Sequence, residues 1–167
     1  MIEENNRSLS FEELKNHRDK MSYLQKKFAG KDCIILTGGP SIKKIDKQKL
    51  KEFLRNKLVI CAKQTINLCP NLADIHIIND CNYDKYDYSY FSKNPIKVLI
   101  KSPAILNFVP FFKPDLTFRI QRKNCQRDKS ISYLKNFSDW EIDSESDLRP
   151  WGPGIIHEIC IHLPIFF

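Results

Sequence analysis

The sequence predicts an α/β fold: a Rossmann-like, mostly parallel sheet with flanking helices and an N-terminal amphipathic helix. Three observations carry this. Five short apolar runs, at 32–37, 58–62, 73–79, 96–100 and 116–120, have the length of strands and the near-continuous hydrophobicity of strands covered on both faces. The segments between them are long enough for crossovers rather than hairpin turns. The first run ends in Gly38, Gly39, Pro40 and Ser41, after which Ile42, Ile45, Leu50, Phe53 and Leu54 recur at helical intervals before the second run begins, giving strand, tight turn, helix, strand.

Ser10 and Glu13 have capping-box spacing, and Phe11, Leu14, Met21, Leu24 and Phe28 follow at helical intervals, which predicts one amphipathic helix reaching about Phe28 and stopped by Gly30. Residues 1–30 are read as a helical extension and 31–167 as the α/β domain. The helical return after the Gly turn ends near Asn56. In the third run His76 alternates with Ile75 and Ile77, as a hydrogen-bonded residue of the core or sheet face does. Residues 121–148 break the pattern: bases cluster from Arg119 to Lys129, and acids stand at every second position from Asp139 to Asp147. An exposed excursion is expected there, without the glycine-bearing pattern of a calcium loop. Arg149, Pro150, Trp151, Gly152, Pro153 and Gly154 then lead into a helix that Pro164 should break, leaving Phe166 and Phe167 bare. A further strand normally buries such residues, so the domain is expected to be incomplete at its C-terminus.

Composition narrows the class. Hydrophobic residues make up 42% of the chain, enough for one core, whereas 5 Gly and 6 Cys in 167 residues exclude collagen-like and disulfide-scaffold proteins. No run approaches the ~18 to 20 apolar residues of a membrane helix, and the acidic, polar start is not that of a secretory leader. The expected location is cytoplasmic, with peripheral association at the inner face of the membrane as an option. Of the net charge of +7, residues 1–57 carry +6, from 14 basic and 8 acidic side chains on helical stretches. This favours phosphate-bearing ligands or anionic membrane faces. Without a basic motif interleaved with aromatics, no nucleic-acid partner is expected. The cysteines form no CxxC pair and several lie in apolar runs, so reduced buried thiols are expected and no metal centre is predicted.

Chemistry concentrates after the strands. Gly38 and Gly39 would let backbone amides approach an anion, Pro40 would direct the chain, and Ser41 would cap the next helix while offering a hydroxyl. The turn lacks the Lys-Ser/Thr of a P-loop and the GxGxxG of a dinucleotide fold. Lys63 and Gln64 follow the second run, and Asn79, Asp80 and Asn82 follow the third. In an open parallel sheet ligands bind at the carboxyl ends of the strands, where these groups would converge. Lys63 suits a phosphate and the asparagines a ribose or base, while Tyr83, Tyr86, Tyr88 and Tyr90 are set to pack on the sheet or to stack on a sugar or base.

The stretch 34–46, with its Thr-Gly-Gly-Pro-Ser-Ile loop, resembles the opening strand and Gly-x-Gly-Pro-Ser-Leu type loop of bacterial glycosyltransferase family 42 sialyltransferases. It is also similar to the motility-accessory-factor and pterin-pyrophosphokinase-like proteins. Lys63, Gln64 and Asn79 fall in the order of that family's nucleotide-contacting strand ends, and Arg149, Gly152 and Gly154 resemble its later loop over the cytidine nucleotide. The resemblance covers about residues 32–163. It implies that Gly39, Ser41, Asn79 and Gly154 line a nucleotide site, with Pro153 where the sialyltransferases have a serine. Lys63 replaces their asparagine, and Thr37 with Gly38 replaces Gly-Asn, so the donor need not carry cytidine.

Taken together, these features lead to the expectation of a nucleotide-sugar-dependent glycosyltransferase for surface glycans or protein glycosylation. It would use a CMP- or UDP-linked donor, a glycan or protein acceptor and no required metal. The family's general-base histidine and phosphate-contacting tyrosines lie in a segment without counterpart here, which implies weak or absent activity. His157, and beside it His162, are the replacement candidates for the base. The alternatives are a non-catalytic nucleotide- or glycan-binding module and a pterin-pyrophosphokinase-like transferase.

Overall fold

The computed structural model describes residues 9–79, 95–101, 113–119 and 155–167. Strands β1 (Cys33–Leu36), β2 (Leu58–Ala62), β3 (Ile75–Asn79), β4 (Ile96–Lys101) and β5 (Leu116–Arg119) form one sheet in the order β1-β2-β3-β4-β5. Every neighbouring pair is parallel. Helices α1 (His17–Phe28), α2 (Lys47–Leu54) and α3 (Ile155–Phe166) flank it. This is the Rossmann-like α/β architecture expected from the five apolar runs.

All five strands feed a core on one face of the sheet, and β1 and β2 also feed a second core on the other. On one face Met21, Leu24 and Phe28 of α1 and Ile159, Cys160 and Leu163 of α3 pack on Leu58, Ile60, Ile75, Ile77, Val98, Ile100, Leu116 and Phe118. On the other, Leu50 and Leu54 of α2 meet Leu36, Val59, Cys61, Ile66 and Cys69. Met21 and Leu24 are wholly buried, and each such side chain contributes about 1.5–3 kcal/mol. Right-handed crossovers that always step the same way along a sheet must all leave on one face. The β1–β2 crossover through α2 and the 3-10 turn after β2 share a face, while α3 lies on the opposite one against β1, β2 and β3.

Several local expectations are corrected. The Ser10–Glu13 capping box is present, with the Glu13 carboxylate accepting from the Ser10 amide at 2.7 Å, but it closes only a 3-10 turn, Phe11–Glu13. The chain extends at Leu14, and α1 starts afresh after Asn16, whose side chain accepts from the Asp19 amide at 2.7 Å. A second cap therefore outcompetes the first. The helical return after the Gly turn is likewise divided, into a 3-10 turn, Pro40–Lys44, and α2, because the Asp46 carboxylate accepts from the Gln48 and Lys49 amides at 2.8 and 3.0 Å. It ends at Leu54, near Asn56 as expected, and Asn56 takes the left-handed conformation (φ 63°) that asparagine tolerates. Gly30 (φ 71°) ends α1 in the same way.

Strand β1 is not buried on both faces. Cys33, Ile34 and Ile35 are half-buried because β1 lies at the edge of the described sheet, whereas β2 is buried throughout. Pro164 does not break the last helix, which runs to Phe166. The cost of an interior proline, about 3 kcal/mol, is met by packing: the Phe166 carbonyl accepts from Nε2 of Gln25 at 2.9 Å, and the Phe167 ring lies 5.5 Å from that of Phe28. Phe166 and Phe167 are thus partly buried against the core rather than bare. At the amino ends of the strands, the Asp74 carboxylate accepts from the Val59 amide at 2.9 Å. Asp115 accepts from the Lys97 amide at 2.8 Å and pairs with the Lys97 ammonium at 3.3 Å. No helix of the described residues is long and apolar enough to cross a membrane.

Candidate functional site

Because all five strands are parallel, their carboxyl ends share one rim. The ends of β1 and β2 are joined there by specific contacts. The Thr65 hydroxyl lies 2.8 Å from both the Leu36 and the Ala62 carbonyl oxygens, donating between the last residues of the two strands. Gly38 sits against Gln64, and a Cβ at position 38 would come within 3.0 Å of Nε2 of Gln64. A side chain at position 38 would have to displace only the exposed, flexible end of Gln64. Neither Gly38 nor Gly39 adopts a left-handed conformation, and Gly39 is ordinary extended chain (φ −130°).

Pro40 opens the 3-10 turn as expected, and the Ile42 amide donates to the Gly39 carbonyl at 3.1 Å. Ser41 does not cap a helix. Gly39 holds the capping position of the 3-10 turn and Asp46 caps α2, which leaves Ser41 exposed within the turn with its hydroxyl at the rim.

Lys63, the first residue after β2, has φ 53°, a left-handed conformation unusual for a non-glycine residue. Its carbonyl accepts from Nε2 of His76 at 2.7 Å, which fixes Nε2 as the protonated ring nitrogen. His76 is fully buried. Burial draws its pKa from 6.5 down to about 4, against the bond to Lys63, which raises it, and with the Lys97 charge, which lowers it further. The imidazole is a neutral structural donor, as the strand alternation suggested. Lys63 is half-buried, and no carboxylate of the described residues pairs with it.

Asn79 ends β3. In register Ala62 is level with Ile77, so the Asn79 backbone lies just past the level of Lys63. With strands about 4.8 Å apart, the Gly turn and Asn79 are separated by about 10 Å, with Lys63 and Gln64 between them. Gly38, Gly39, Pro40, Ser41, Lys63, Gln64 and Asn79 therefore share one rim. Asp80, Asn82, Arg149, Gly152 and Gly154 lie outside the described residues, as do Tyr83, Tyr86, Tyr88, Tyr90 and the acidic alternation. The C-terminal end of α3 abuts Gln25 and Phe28, just before β1 begins. Cys160, one turn after His157 in α3, packs with Cys33, the first residue of β1, and the His157 side chain lies outside the described ones.

Sequence reading overlooked two rim positions, Lys101 and Arg119. They end β4 and β5 and are register partners. The available signal was a basic residue closing an apolar run. Cys33, Cys61, Cys69 and Cys160 are free thiols, the last three buried, and Cys81 and Cys125 lie outside the described residues. Among the described residues no group of three or more His, Cys, Asp or Glu is arranged to hold a metal ion.

Strand order refines where a ligand could sit. Open α/β sheets bind ligands where the order reverses, and the five described strands never reverse. The Gly turn lies on β1, the edge strand, on the side of the sheet to which α3 returns beneath β1, β2 and β3. Comparison with family models, with curated proteins and with solved structures returned no match.

Proposed function

We propose that the rim formed by the ends of β1, β2 and β3 binds the phosphate of a nucleotide sugar, and that the protein transfers the sugar to a glycan or protein acceptor. One observation carries the binding step: Lys63 is held in a strained left-handed conformation by buried His76, beside the Gly38–Gly39 turn and the exposed Ser41 hydroxyl. Strain of this kind persists only where its surroundings over-determine it, and it clusters at ligand clamps. Asn79, on the far side of Lys63, suits the ribose or base.

The transfer step rests on the sialyltransferase-like residues at 34–46. The acceptor hydroxyl attacks the donor's anomeric carbon, the bond from that carbon to the phosphate oxygen breaks, and the nucleotide departs with the electron pair. A base takes the acceptor proton, and His157, in the first turn of α3, is the candidate. The charge developing on the departing phosphate is offset by Lys63 and the amides of Gly38, Gly39 and Ser41, so the step needs no metal.

Calorimetric titration with CMP, UDP and sulfate tests the binding step. Hydrogen bonds to charged groups contribute about 1.5–3 kcal/mol, so Lys63→Gln should weaken the preferred nucleotide roughly 10- to 150-fold. Nucleotides that bind no better than sulfate, or a Lys63→Gln chain that binds them unchanged, would refute the proposal.

A further inference from the structure

We infer that Cys61 and Cys69 form a redox modification site, at which hydrogen peroxide joins the two thiols as a disulfide and thereby shifts the carboxyl rim. Cys61 lies in β2, and Cys69 directly follows the 3-10 turn Lys63–Leu68. Both are free thiols of the smaller core, with their sulfurs 3.8 Å apart. The segment they bracket carries Lys63, Gln64 and Thr65, the part of the rim between the Gly turn and Asn79. Cys33 and Cys160 belong to the opposite core, where burial pushes their thiols up to about 11 and about 12.

The contact divides the roles of the two sulfurs. The hydrogen bond from Cys61 draws the Cys69 thiol below its ordinary value, against burial, while the same bond and then burial push Cys61 up. The thiolate is the reactive form of cysteine, so Cys69 attacks first. Its sulfur takes one oxygen of the peroxide as the O–O bond breaks, and the other oxygen leaves as water with the proton that Cys69 gave up. The Cys61 sulfur then attacks the resulting sulfenic acid, and the hydroxyl leaves as a second water with the Cys61 proton. Two thiols and one peroxide give one disulfide and two waters, the peroxide being reduced by two electrons. Cys61 is wholly buried and Cys69 is 2% exposed, so the oxidant must be nearly as small as water. Hydrogen peroxide meets that limit and oxidised glutathione does not.

Bond formation brings the sulfurs from 3.8 Å to about 2 Å. Strand β2 is held by parallel partners on both sides. The backbone bonds of Cys69 are local: its amide donates to the Ile66 carbonyl at 3.2 Å, and its carbonyl accepts from the Leu72 and Ala73 amides at 3.0 and 3.2 Å. The turn is therefore the part that moves. Its tie to the rim is the Thr65 hydroxyl, 2.8 Å from the Leu36 and Ala62 carbonyl oxygens. Moving the turn pulls on that tie, and through Leu36 on the Gly turn that follows β1.

The test treats the reduced full chain with hydrogen peroxide at pH 8, alkylates the remaining thiols and maps the peptides. Cleavage after Lys57 and Lys63 and before Asp74 places Cys61 on peptide 58–63 and Cys69 on peptide 64–73. These two should become linked roughly tenfold faster than any other cysteine pair, should separate in dithiothreitol, and should stay unlinked in oxidised glutathione. Amide spectra of the oxidised chain should shift at Gly38 and Gly39, beyond the Thr65 tie, and Cys69→Ser should abolish that response to peroxide. Should Cys69→Ser fail to fold, Cys61→Ser serves the same purpose, and the mapping needs no variant. Three results overturn the inference: no link between the two peptides, a link no faster than those of other pairs, or a link that leaves Gly38 and Gly39 unshifted. None of these readouts involves a nucleotide, so this inference and the transferase reading can fail separately.

Discussion

Lys63→Gly separates the stability of the rim from its chemistry. At φ 53° a non-glycine residue carries a left-handed penalty of about 1–2 kcal/mol, which glycine does not incur. Glycine in turn loses more backbone freedom on folding, at a cost of roughly 0.5–1 kcal/mol. The difference leaves Lys63→Gly more stable by about 0.5–1 kcal/mol, a rise in thermal midpoint of roughly 1–4 °C for a chain of this size. The Lys63 carbonyl, and with it the bond from His76, is unchanged by the substitution. The cation is removed, so nucleotide binding should weaken as far as in Lys63→Gln. Urea unfolding followed by tyrosine and tryptophan fluorescence gives the stability, and calorimetry the affinity. A variant destabilised by 1 kcal/mol or more would show that the Lys63 stem supports the core and that the strained backbone is not maintained for a ligand.

Three further outcomes follow from the packing. His76 titrates at about 4 in the folded chain and at its ordinary 6.5 when unfolded. Between these values the unfolded state therefore binds more protons, and stability should fall by about 3 kcal/mol as pH drops from 6.5 to 4. In denaturant melts across that range, His76→Gln, which keeps a donor for the Lys63 carbonyl but does not titrate, should lack this part of the slope. Asp46→Ala removes both caps of α2 and should cost about 1 kcal/mol, measured by the same melts, whereas the exposed Gln48→Ala should cost little. Burial first, and then neighbouring charge, pushes the Cys160 thiol up to about 12 and that of Cys33 up to about 11. Peptide mapping after alkylation at pH 8 should find both labelled far more slowly in the native chain than in urea, and rapid native labelling of Cys160 would mean that α3 is not packed as described.

The fold was legible where local and tertiary signals agree. The run 58–62 is β2 to the residue, because a central strand buried on both faces leaves an unbroken apolar signature. At β1 the same kind of signature misled, since an apolar run does not reveal whether its strand lies inside a sheet or at its edge. The two misplaced helix starts have one cause: Asn16 and Asp46 are capping residues within apolar spacing that continues past them, so periodicity merged what the caps divide. Pro164 went the other way, its local penalty overridden by contacts of Phe166 and Phe167 with α1 that no window of sequence contains. Of the site, the turn at 38–41 and the polar strand ends were readable as residue types at strand termini. The link through Thr65 and the His76 bond to Lys63 were not, because both join residues brought together only by parallel pairing. Strand order was equally hidden, and with it the absence of any reversal among the described strands.

The measurement closest to the central claim is a backbone amide chemical-shift titration of the labelled chain with CMP and with UDP. The rim account expects saturable shifts concentrated at Gly38, Gly39, Ser41, Lys63, Gln64 and Asn79, with little change at Asp32, Asp74 and Asp115 on the opposite end of the sheet. Shifts confined to the amino ends, or none at millimolar nucleotide, would contradict it.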